Sequence, residues 1–240
     1  MGAGCTLLLR EAGGTLTLSV DTSGEPLHRR GYRQEVSRAP LRETLAAGIL
    51  QLAGYDGVEP LVDPMCGSGT FLIEAGGRSR ELAPGLQRAF AFEAFPMHVP
   101  TAWAERRARA QAQAAAAPRG TLHGFDLNAG ALGTARRNAR RAGLTLALER
   151  RDVRTLTPPV AGPGLLVANP PYGKRVGEGE DLPGLYRALG ATVRGAFAGW
   201  RAAVLSPDEH ALLAALALPS ARRVPLRNGG LRCVLVLQEG

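Results

Sequence analysis

The sequence predicts an α/β fold: a doubly wound, mostly parallel seven-stranded sheet that ends in a C-terminal antiparallel hairpin. From residue 60 onward, short apolar runs alternate with segments of helical periodicity, the pattern of parallel strands joined by crossover helices. The last two apolar runs are separated only by Asn228-Gly229-Gly230. So short a connection permits only antiparallel pairing, which predicts the hairpin.

The predicted strands are short apolar runs bounded by turn-forming residues. They lie at 60–62, 121–125, 144–148, 164–168, 202–205, 222–226 and 231–237. The predicted helices carry apolar residues at helical spacing, with glycine or proline near their ends. They lie at 41–52, from 71 onward, and at 103–117, 129–142, 182–197 and 209–216.

Two parts of the chain are expected to differ in role. Residues 1–38 contain two more predicted strands, 5–10 and 15–20, and a basic loop. We predict that they form a linker or the remainder of another region. Residues 39–240 are predicted to form the main domain, with an insertion at about 76–120, where the periodicity weakens.

The composition limits the class of protein. The chain has 240 residues, of which 45% are hydrophobic, enough for a sizeable core. No apolar run approaches the roughly 18 residues of a membrane-spanning helix, and the N-terminus lacks a charged leader followed by an apolar segment. Three separated cysteines lack metal-ligand spacing and fit a reducing compartment. We therefore predict a cytoplasmic protein without a membrane partner or a metal site. We also expect it to be a monomer.

The charge favours a polyanionic partner. A formal net charge of +8 indicates nucleic acid as the usual partner. The alternative is compositional drift, because Lys174 is the only lysine and the chain is rich in Ala, Gly and Arg.

The segment Asn169-Pro170-Pro171-Tyr172 follows the apolar run 164–168. Two prolines cannot continue a sheet ladder, so the chain must leave the sheet here. Asn169 is thereby predicted at the carboxyl end of a strand, where open α/β sheets bind ligands. The Asn169 amide oxygen and the Pro170 carbonyl would offer two acceptors to a planar NH₂ group, on a base or on an amide.

A glycine-rich turn at 63–70 joins another strand to a helix. Gly67 and Gly69 permit positive φ angles and close approach of a ligand. The turn lacks the Lys-Ser/Thr of a phosphate-binding loop and the third glycine of a dinucleotide fingerprint. We therefore predict that Asp63 binds a ligand ammonium group; a purely structural turn is the alternative.

Two further carboxylates follow predicted strands. Asp126 is predicted to accept hydrogen bonds from a ribose diol, in preference to Glu81, which lies nearer the usual spacing but has no strand before it. Asp152 is predicted to accept a hydrogen bond from an adenine amino group, with a helix cap or turn as the alternative. In a doubly wound sheet these strand ends share one edge.

Together these motifs resemble those of class I S-adenosylmethionine-dependent methyltransferases. More closely, they resemble the Rossmann-like catalytic domain of guanine-N2 RNA methyltransferases of the 23S ribosomal RNA or transfer RNA type, which follows an RNA-binding THUMP domain. The matching segments are Asp63-Pro64-Met65-Cys66-Gly67-Ser68-Gly69-Thr70 with 71–75, Asn169-Pro170-Pro171-Tyr172-Gly173 with 185–190, and the flanking 27–33, 40–47 and 228–233.

The resemblance implies S-adenosylmethionine as the methyl donor and a set of residues for each role. Cofactor-binding residues would be Asp63, Met65, Cys66, Gly67, Gly69, Thr70, Asp126, Asp152, Val153 and Asn169. Catalytic residues would be Asn169 and Pro170, which hold the amine, and Tyr172, which stacks on a flipped base; a packing aromatic is the alternative for Tyr172. RNA-binding residues would be Arg30, Tyr32, Arg33, Lys174 and Arg175.

Two of these roles have competing interpretations. The basic loop around Arg30, Tyr32 and Arg33 could equally be solvated. Cys66 could be a nucleophile, but no base lies beside it in sequence, so a packing role is favoured.

The resemblance implies transfer of a methyl group to guanine N2 in structured RNA, with ribosomal RNA preferred over transfer RNA. The same motif would serve a DNA base amine or a protein glutamine amide, and a catalytically silent RNA-binding protein is a further alternative. Only about 20 residues precede the shared part. We therefore expect the THUMP function to come from a separate partner or from sequence outside this chain.

Overall fold

The computed structural model describes residues 6–34, 41–172, 181–218 and 220–240. Its strands are β1 (Leu7–Ala12), β2 (Thr15–Val20), β3 (Leu61–Asp63), β4 (Leu122–Asp126), β5 (Ala147–Arg150), β6 (Leu165–Ala168), β7 (Arg201–Pro207), β8 (Arg222–Asn228) and β9 (Leu231–Gln238). Strands β3 to β9 form one seven-stranded sheet in the order β5-β4-β3-β6-β7-β9-β8. The first five strands in this order are parallel, and β9 is antiparallel to both β7 and β8. The predicted fold is confirmed.

The helices alternate with these strands. They are α1 (Glu43–Leu52), α2 (Thr70–Ser79), α3 (Pro100–Gln113), α4 (Ala129–Arg141), α5 (Leu182–Arg194) and α6 (His210–Leu216), with 3₁₀ helices at Ala91–Ala94 and Val153–Thr155. Local sequence sets two of the starts. The Asn128 side chain accepts the Ala131 N–H and caps α4, and Asp181 accepts the Gly184 N–H and caps α5.

Several predicted boundaries differ from the observed ones by a few residues, and two of these differences have a clear local cause. Helix α2 continues to Ser79, so the insertion predicted at 76–120 begins inside a helix. Strand β5 begins at Ala147 rather than at residue 144. Leu144 instead closes the end of α4, since its N–H donates to the Ala139 carbonyl at 2.8 Å. An apolar residue after a helix-ending glycine therefore belonged to the helix cap rather than to the strand.

The core lies on both faces of the sheet. Side chains of α1, α2 and α4 pack on one face, and side chains of α5 and α6 pack on the other. The central strand β6 is fully buried from Leu165 to Ala168, as expected for a parallel strand that is covered on both sides. This burial fixes the strand that leads into Asn169.

Helices α5 and α6 touch almost backbone to backbone. Gly190 of α5 faces the carbonyl oxygen of Leu216, the last residue of α6, and a Cβ atom at position 190 would overlap that oxygen. The Arg194 side chain donates to the carbonyls of Leu216 and Ala217 and so satisfies the end of α6. Glycine at 190 is thus required by packing.

Strands β1 and β2 form a separate two-stranded antiparallel sheet. Every residue of both strands is exposed. Within the described ranges, no helix is long and apolar enough to cross a membrane, and no group of three or more His, Cys, Asp or Glu side chains could hold a metal ion.

Candidate active site

A cavity of about 660 Å³ lies at the carboxyl ends of β3, β4 and β6. Most of the predicted cofactor and catalytic residues line it, although they come from distant parts of the chain. The predicted residues on its wall are Asp63, Met65, Cys66, Gly67, Thr70, Asp126, Asp152, Val153, Asn169 and Pro170. The cavity volume lies in the range that small-molecule sites occupy, about 300–1,000 Å³.

The glycine-rich turn forms one wall of the cavity. Gly67 has a φ of +53° and Gly69 a φ of +83°, so both adopt the left-handed conformation that favours glycine. The Gly67 N–H donates to Asp126 Oδ2 at 2.9 Å, which ties the turn to the end of β4. A Cβ at Gly67 would meet no atom within 4 Å, whereas one at Gly69 would lie 3.2 Å from the Ala135 Cβ. Gly67 therefore faces open space, and Gly69 supports the turn from behind against α4.

Asp63 is a buried carboxylate at the end of β3, only 2% exposed. The Met65 N–H donates to it at 3.2 Å, and the structure gives it no ion pair with any described cationic side chain. Burial raises the pKa of Asp63 well above its usual value; the Met65 hydrogen bond opposes this shift, and the nearby Asp126 carboxylate adds to it. A ligand ammonium group would offset both the burial and the repulsion.

Asp126 lines the cavity and Glu81 does not. Asp126 Oδ1 accepts the Asn128 N–H at 2.8 Å, so each of its oxygens holds one backbone N–H. Glu81 instead pairs with Arg119 at 3.0 Å and lines a different cavity. The structure thus leaves Asp126 as the candidate for binding a diol.

Asp152 caps a 3₁₀ helix and also lies on the cavity wall. Its side chain accepts the Arg154 N–H at 2.9 Å and so caps the 3₁₀ helix at Val153–Thr155. It also forms an ion pair with the Arg154 side chain at 3.0 Å. It still lines the cavity together with Val153, so its capping role does not remove it from the site.

Asn169 follows β6 directly and lines the cavity beside Pro170. Its side-chain oxygen is buried and has no hydrogen-bond partner among the residues that the structure describes. An unpaired buried acceptor costs roughly 1–3 kcal/mol, so such an atom requires an explanation. A donor on a bound ligand would supply one.

Tyr172 differs from the prediction. Its ring is buried, with 1% of its surface exposed, and it belongs to the core on the α1 side of the sheet. Its hydroxyl accepts a hydrogen bond from Asn228 Nδ2 at 2.6 Å. The ring is therefore not available here for stacking on a base, and the alternative interpretation, a packing aromatic, describes its position.

The side chains predicted for RNA contact in the basic loop interact with residues of the protein itself. Arg30 and Tyr32 both interact with Glu74 of α2, at 3.4 and 3.1 Å. Arg33 pairs with Glu43 of α1 at 3.0 Å. These side chains are largely buried, and their contacts with Glu74 and Glu43 hold the loop to α2 and α1.

The other predicted residues lie in three different places. Arg30 and Tyr32 line a separate cavity, which shares none of the described residues with the candidate site. Lys174 and Arg175 lie outside the described residues. Cys66 is buried, and burial together with Asp63 and Asp126 raises the pKa of its thiol, which favours packing over nucleophilic attack.

Sequence reasoning missed Asn228 as a contact of the Asn-Pro-Pro-Tyr segment. Asn228 is buried, with 3% of its surface exposed, at the end of β8. The sequence 228–230 was interpreted only as a tight turn. The one available signal was a polar residue placed where the preceding alternation of β8 requires an inward-facing side chain.

The chain is similar to known proteins in sequence and in fold. Ribosomal RNA large subunit methyltransferase K/L of Vibrio campbellii is 42% identical over 223 residues, which cover 90% of this chain and 31% of that protein. The chain thus spans about a third of that curated relative's length.

Two solved structures have the same fold over nearly the whole chain. The crystal structure of SMU.472, complexed with SAH, is 31% identical with a TM-score of 0.87 and covers 98% of this chain and 62% of that one. A Listeria monocytogenes structure described as a predicted N6-adenine-specific DNA methylase is 30% identical with a TM-score of 0.86, covering 100% and 62%. The model of one family, UPF0020, matches residues 30–237. This chain therefore belongs to UPF0020, the family of the RMKL-like methyltransferase domain.

Proposed function

We propose that this chain transfers a methyl group from S-adenosylmethionine to the exocyclic N2 amine of a guanine in RNA, with large-subunit ribosomal RNA as the substrate class. The observation that carries the proposal is the buried side-chain oxygen of Asn169, which has no hydrogen-bond partner among the described residues. The name of the Vibrio relative supports a ribosomal substrate.

The cavity fits S-adenosylmethionine by its size and by the chemistry of its wall. Asp63 would hold the ammonium group, Asp126 the ribose hydroxyls and Asp152 the adenine amine, while Val153 supplies an apolar surface. When bound, the cofactor supplies an electrophilic methyl group on a sulfonium. The SAH in SMU.472 supports the same ligand class.

Asn169 and Pro170 would orient the acceptor amine. A guanine N2 amine is a poor nucleophile because its lone pair is delocalised into the ring. Asn169 Oδ1 and the Pro170 carbonyl would each accept one N–H, which holds the lone pair toward the methyl group. Catalysis would then come from positioning and from fixed dipoles rather than from a strong base.

The substrate class can be tested by offering tritium-labelled S-adenosylmethionine with ribosomal RNA, DNA or protein in separate reactions. We expect label only in RNA, and digestion to nucleosides should place it on guanine N2. Label in DNA alone would instead support a DNA base amine, which the description of the Listeria structure makes the specific alternative. Label in protein alone would contradict both.

The role of Asn169 can be tested by Asn169→Ala. We expect transfer to fall below detection, while the affinity for S-adenosylhomocysteine stays within about tenfold. Calorimetry with the wild-type chain also tests the silent alternative, because failure to bind S-adenosylhomocysteine would favour it. Wild-type turnover in the variant would contradict the proposed role.

Cofactor affinity should depend on pH through Asp63. The ammonium group binds the ionised carboxylate, and burial raises the pKa of Asp63 in the free protein. Affinity for S-adenosylhomocysteine should therefore increase as the pH rises through that pKa, by up to about tenfold per pH unit. The dependence should be absent in Asp63→Asn, which also serves as the control.

The remaining expectations belong to the same proposal. The main domain would act as a monomer. It would act in the cytoplasm, where bacterial ribosomal RNA is methylated. A THUMP-like RNA-binding region would be supplied by a partner or by sequence outside this chain.

A further inference from the structure

We propose that Arg227 and Arg232, at the turn end of the β8–β9 hairpin, form a phosphate-binding site for the RNA substrate. This inference rests on the proposed function and deepens it. It gives the RNA contact a location different from the basic loop, whose arginines are paired internally.

The hairpin turn lies at the same sheet edge as the candidate active site. Strand β7 runs parallel to β6, so both strands end at the edge where Asn169 lies. Strand β9 is antiparallel to β7, and Cys233 near its start pairs with Pro207 at the end of β7. The Asp208 N–H also donates to the Arg232 carbonyl at 3.1 Å. The start of β9 and the end of β8 are thereby held at the edge that binds ligands.

A buried hydrogen bond fixes this turn to the Asn-Pro-Pro-Tyr segment. Asn228, next to Arg227, donates to the Tyr172 hydroxyl at 2.6 Å, and both side chains are buried. Tyr172 is three residues from Asn169 in the sequence. A phosphate held at the turn would therefore keep a defined position relative to the base at the site.

The two arginines face each other without a counter-charge. Arg227 and Arg232 are directly opposite in the β8–β9 register, and both are exposed. Like charges in this arrangement destabilise a strand pair. Neither side chain has an ion pair or hydrogen bond with any residue in the described ranges. No contact within the described ranges offsets this repulsion, whereas an RNA phosphate would remove it.

The neighbouring residue Arg223 extends the same surface. Because side chains alternate along a strand, Arg223 and Arg227 project from the same face of β8, and both are exposed. Guanidinium groups bind phosphate oxygens in a bidentate manner, so the arrangement suits a nucleic-acid backbone.

The exposed arginines of β8 also have a structural explanation that does not involve RNA. Strand β8 is an edge strand of the sheet, and charged side chains on edge strands prevent pairing with other chains. That explanation predicts self-association when the charges are removed, with unchanged affinity for RNA.

The test compares Arg227→Ala/Arg232→Ala with Arg106→Ala/Arg109→Ala in the full chain. The control pair removes the same charge from exposed positions on α3. The binding of labelled large-subunit ribosomal RNA is measured at several salt concentrations, together with S-adenosylhomocysteine affinity and the thermal midpoint. We expect the hairpin variant to bind RNA about 10- to 100-fold more weakly at 0.1 M salt, with a logarithmic salt slope shallower by about one to two.

Two further measurements distinguish a loss of positive charge from a loss of folding in the hairpin variant. S-adenosylhomocysteine affinity should stay unchanged, and the thermal midpoint should stay equal or rise as the repulsion is removed. Arg227→Lys/Arg232→Lys should keep most of the salt dependence.

Two outcomes would overturn the inference alone: RNA binding in the hairpin variant equal to that of the control pair, or self-association with unchanged RNA affinity. If the wild-type chain neither binds nor methylates RNA, the proposed function fails as well.

Discussion

The two β-hairpins of this protein have the same antiparallel pairing but opposite surroundings. In the β1–β2 hairpin every residue is exposed, and Leu9 has 66% of its surface accessible. In the β8–β9 hairpin, β9 lies between β7 and β8, and Leu235 has 0% accessible. The comparison teaches that membership of the sheet, not pairing, sets how far a hairpin is buried. Since a lone two-stranded hairpin is marginally stable in water, we expect the β8–β9 hairpin to be the more stable of the two.

The exposed hairpin nevertheless has the pattern of a buried one. The β1–β2 register places five apolar residues on one face, with Glu11 as the sixth residue, whereas the other face is mostly polar. The apolar five are Leu7, Leu9, Leu16, Leu18 and Val20. Alternation therefore predicts a strand correctly, but burial depends on which element lies over it.

Hydrogen exchange should show the largest difference between the hairpins. Amides of β9 pair on both sides within the sheet, so they should exchange only through large-scale opening. Amides of β1 and β2 should exchange through local opening, at least about a thousandfold faster. Exchange measured by mass spectrometry checks this, and equal protection of the two hairpins would break the comparison.

Matched truncations should show the next largest effect. Leu235→Ala removes a fully buried side chain from β9 and should lower the free energy of unfolding by about 2–5 kcal/mol. Leu9→Ala makes the same chemical change at an exposed position and should cost less than about 0.5 kcal/mol. Urea unfolding measures both. Similar losses would mean that β1–β2 is covered in solution.

Single hydrogen bonds at the two turns should give the smallest effect. Tyr172→Phe leaves the buried Asn228 amide without this acceptor and should cost about 1–3 kcal/mol. In the exposed turn, the Gly14 N–H donates to Glu11 at 3.2 Å, and Glu11→Gln should cost less than about 0.5 kcal/mol.

A double variant checks the coupling at the buried turn. Tyr172→Phe combined with Asn228→Ala should cost less than the sum of the two single changes, because they remove the same bond. Additive losses would argue against the Asn228–Tyr172 contact.

Four polar residues could be placed at one sheet edge from the sequence, for a topological reason. Asp63, Asp126, Asp152 and Asn169 follow successive parallel strands, and such strand ends must share an edge. The structure brings all four to one cavity. Knowing which residue follows each strand was sufficient for this prediction, because the fold class places the ends of parallel strands at one edge of the sheet.

Contacts between distant segments were the part that could not be predicted. Arg33 pairs with Glu43 and Arg30 with Glu74, which lies on another helix 44 residues away. From the sequence alone a basic loop looks the same whether its charges are paired or free. Tyr172 is a similar case, since its position depends on Asn228, 56 residues further along the chain.

Gly190 has a consequence for relatives of this chain. Because its missing side chain lets α5 touch the end of α6, a relative with alanine there cannot keep this helix spacing. It must move α6, and α6 directly follows β7, the strand beside β6. The residue at position 190 thus indicates whether a relative can have the same positions of α5 and α6. Where it is not glycine, these helices must be placed anew before the candidate site of the relative is compared with this one.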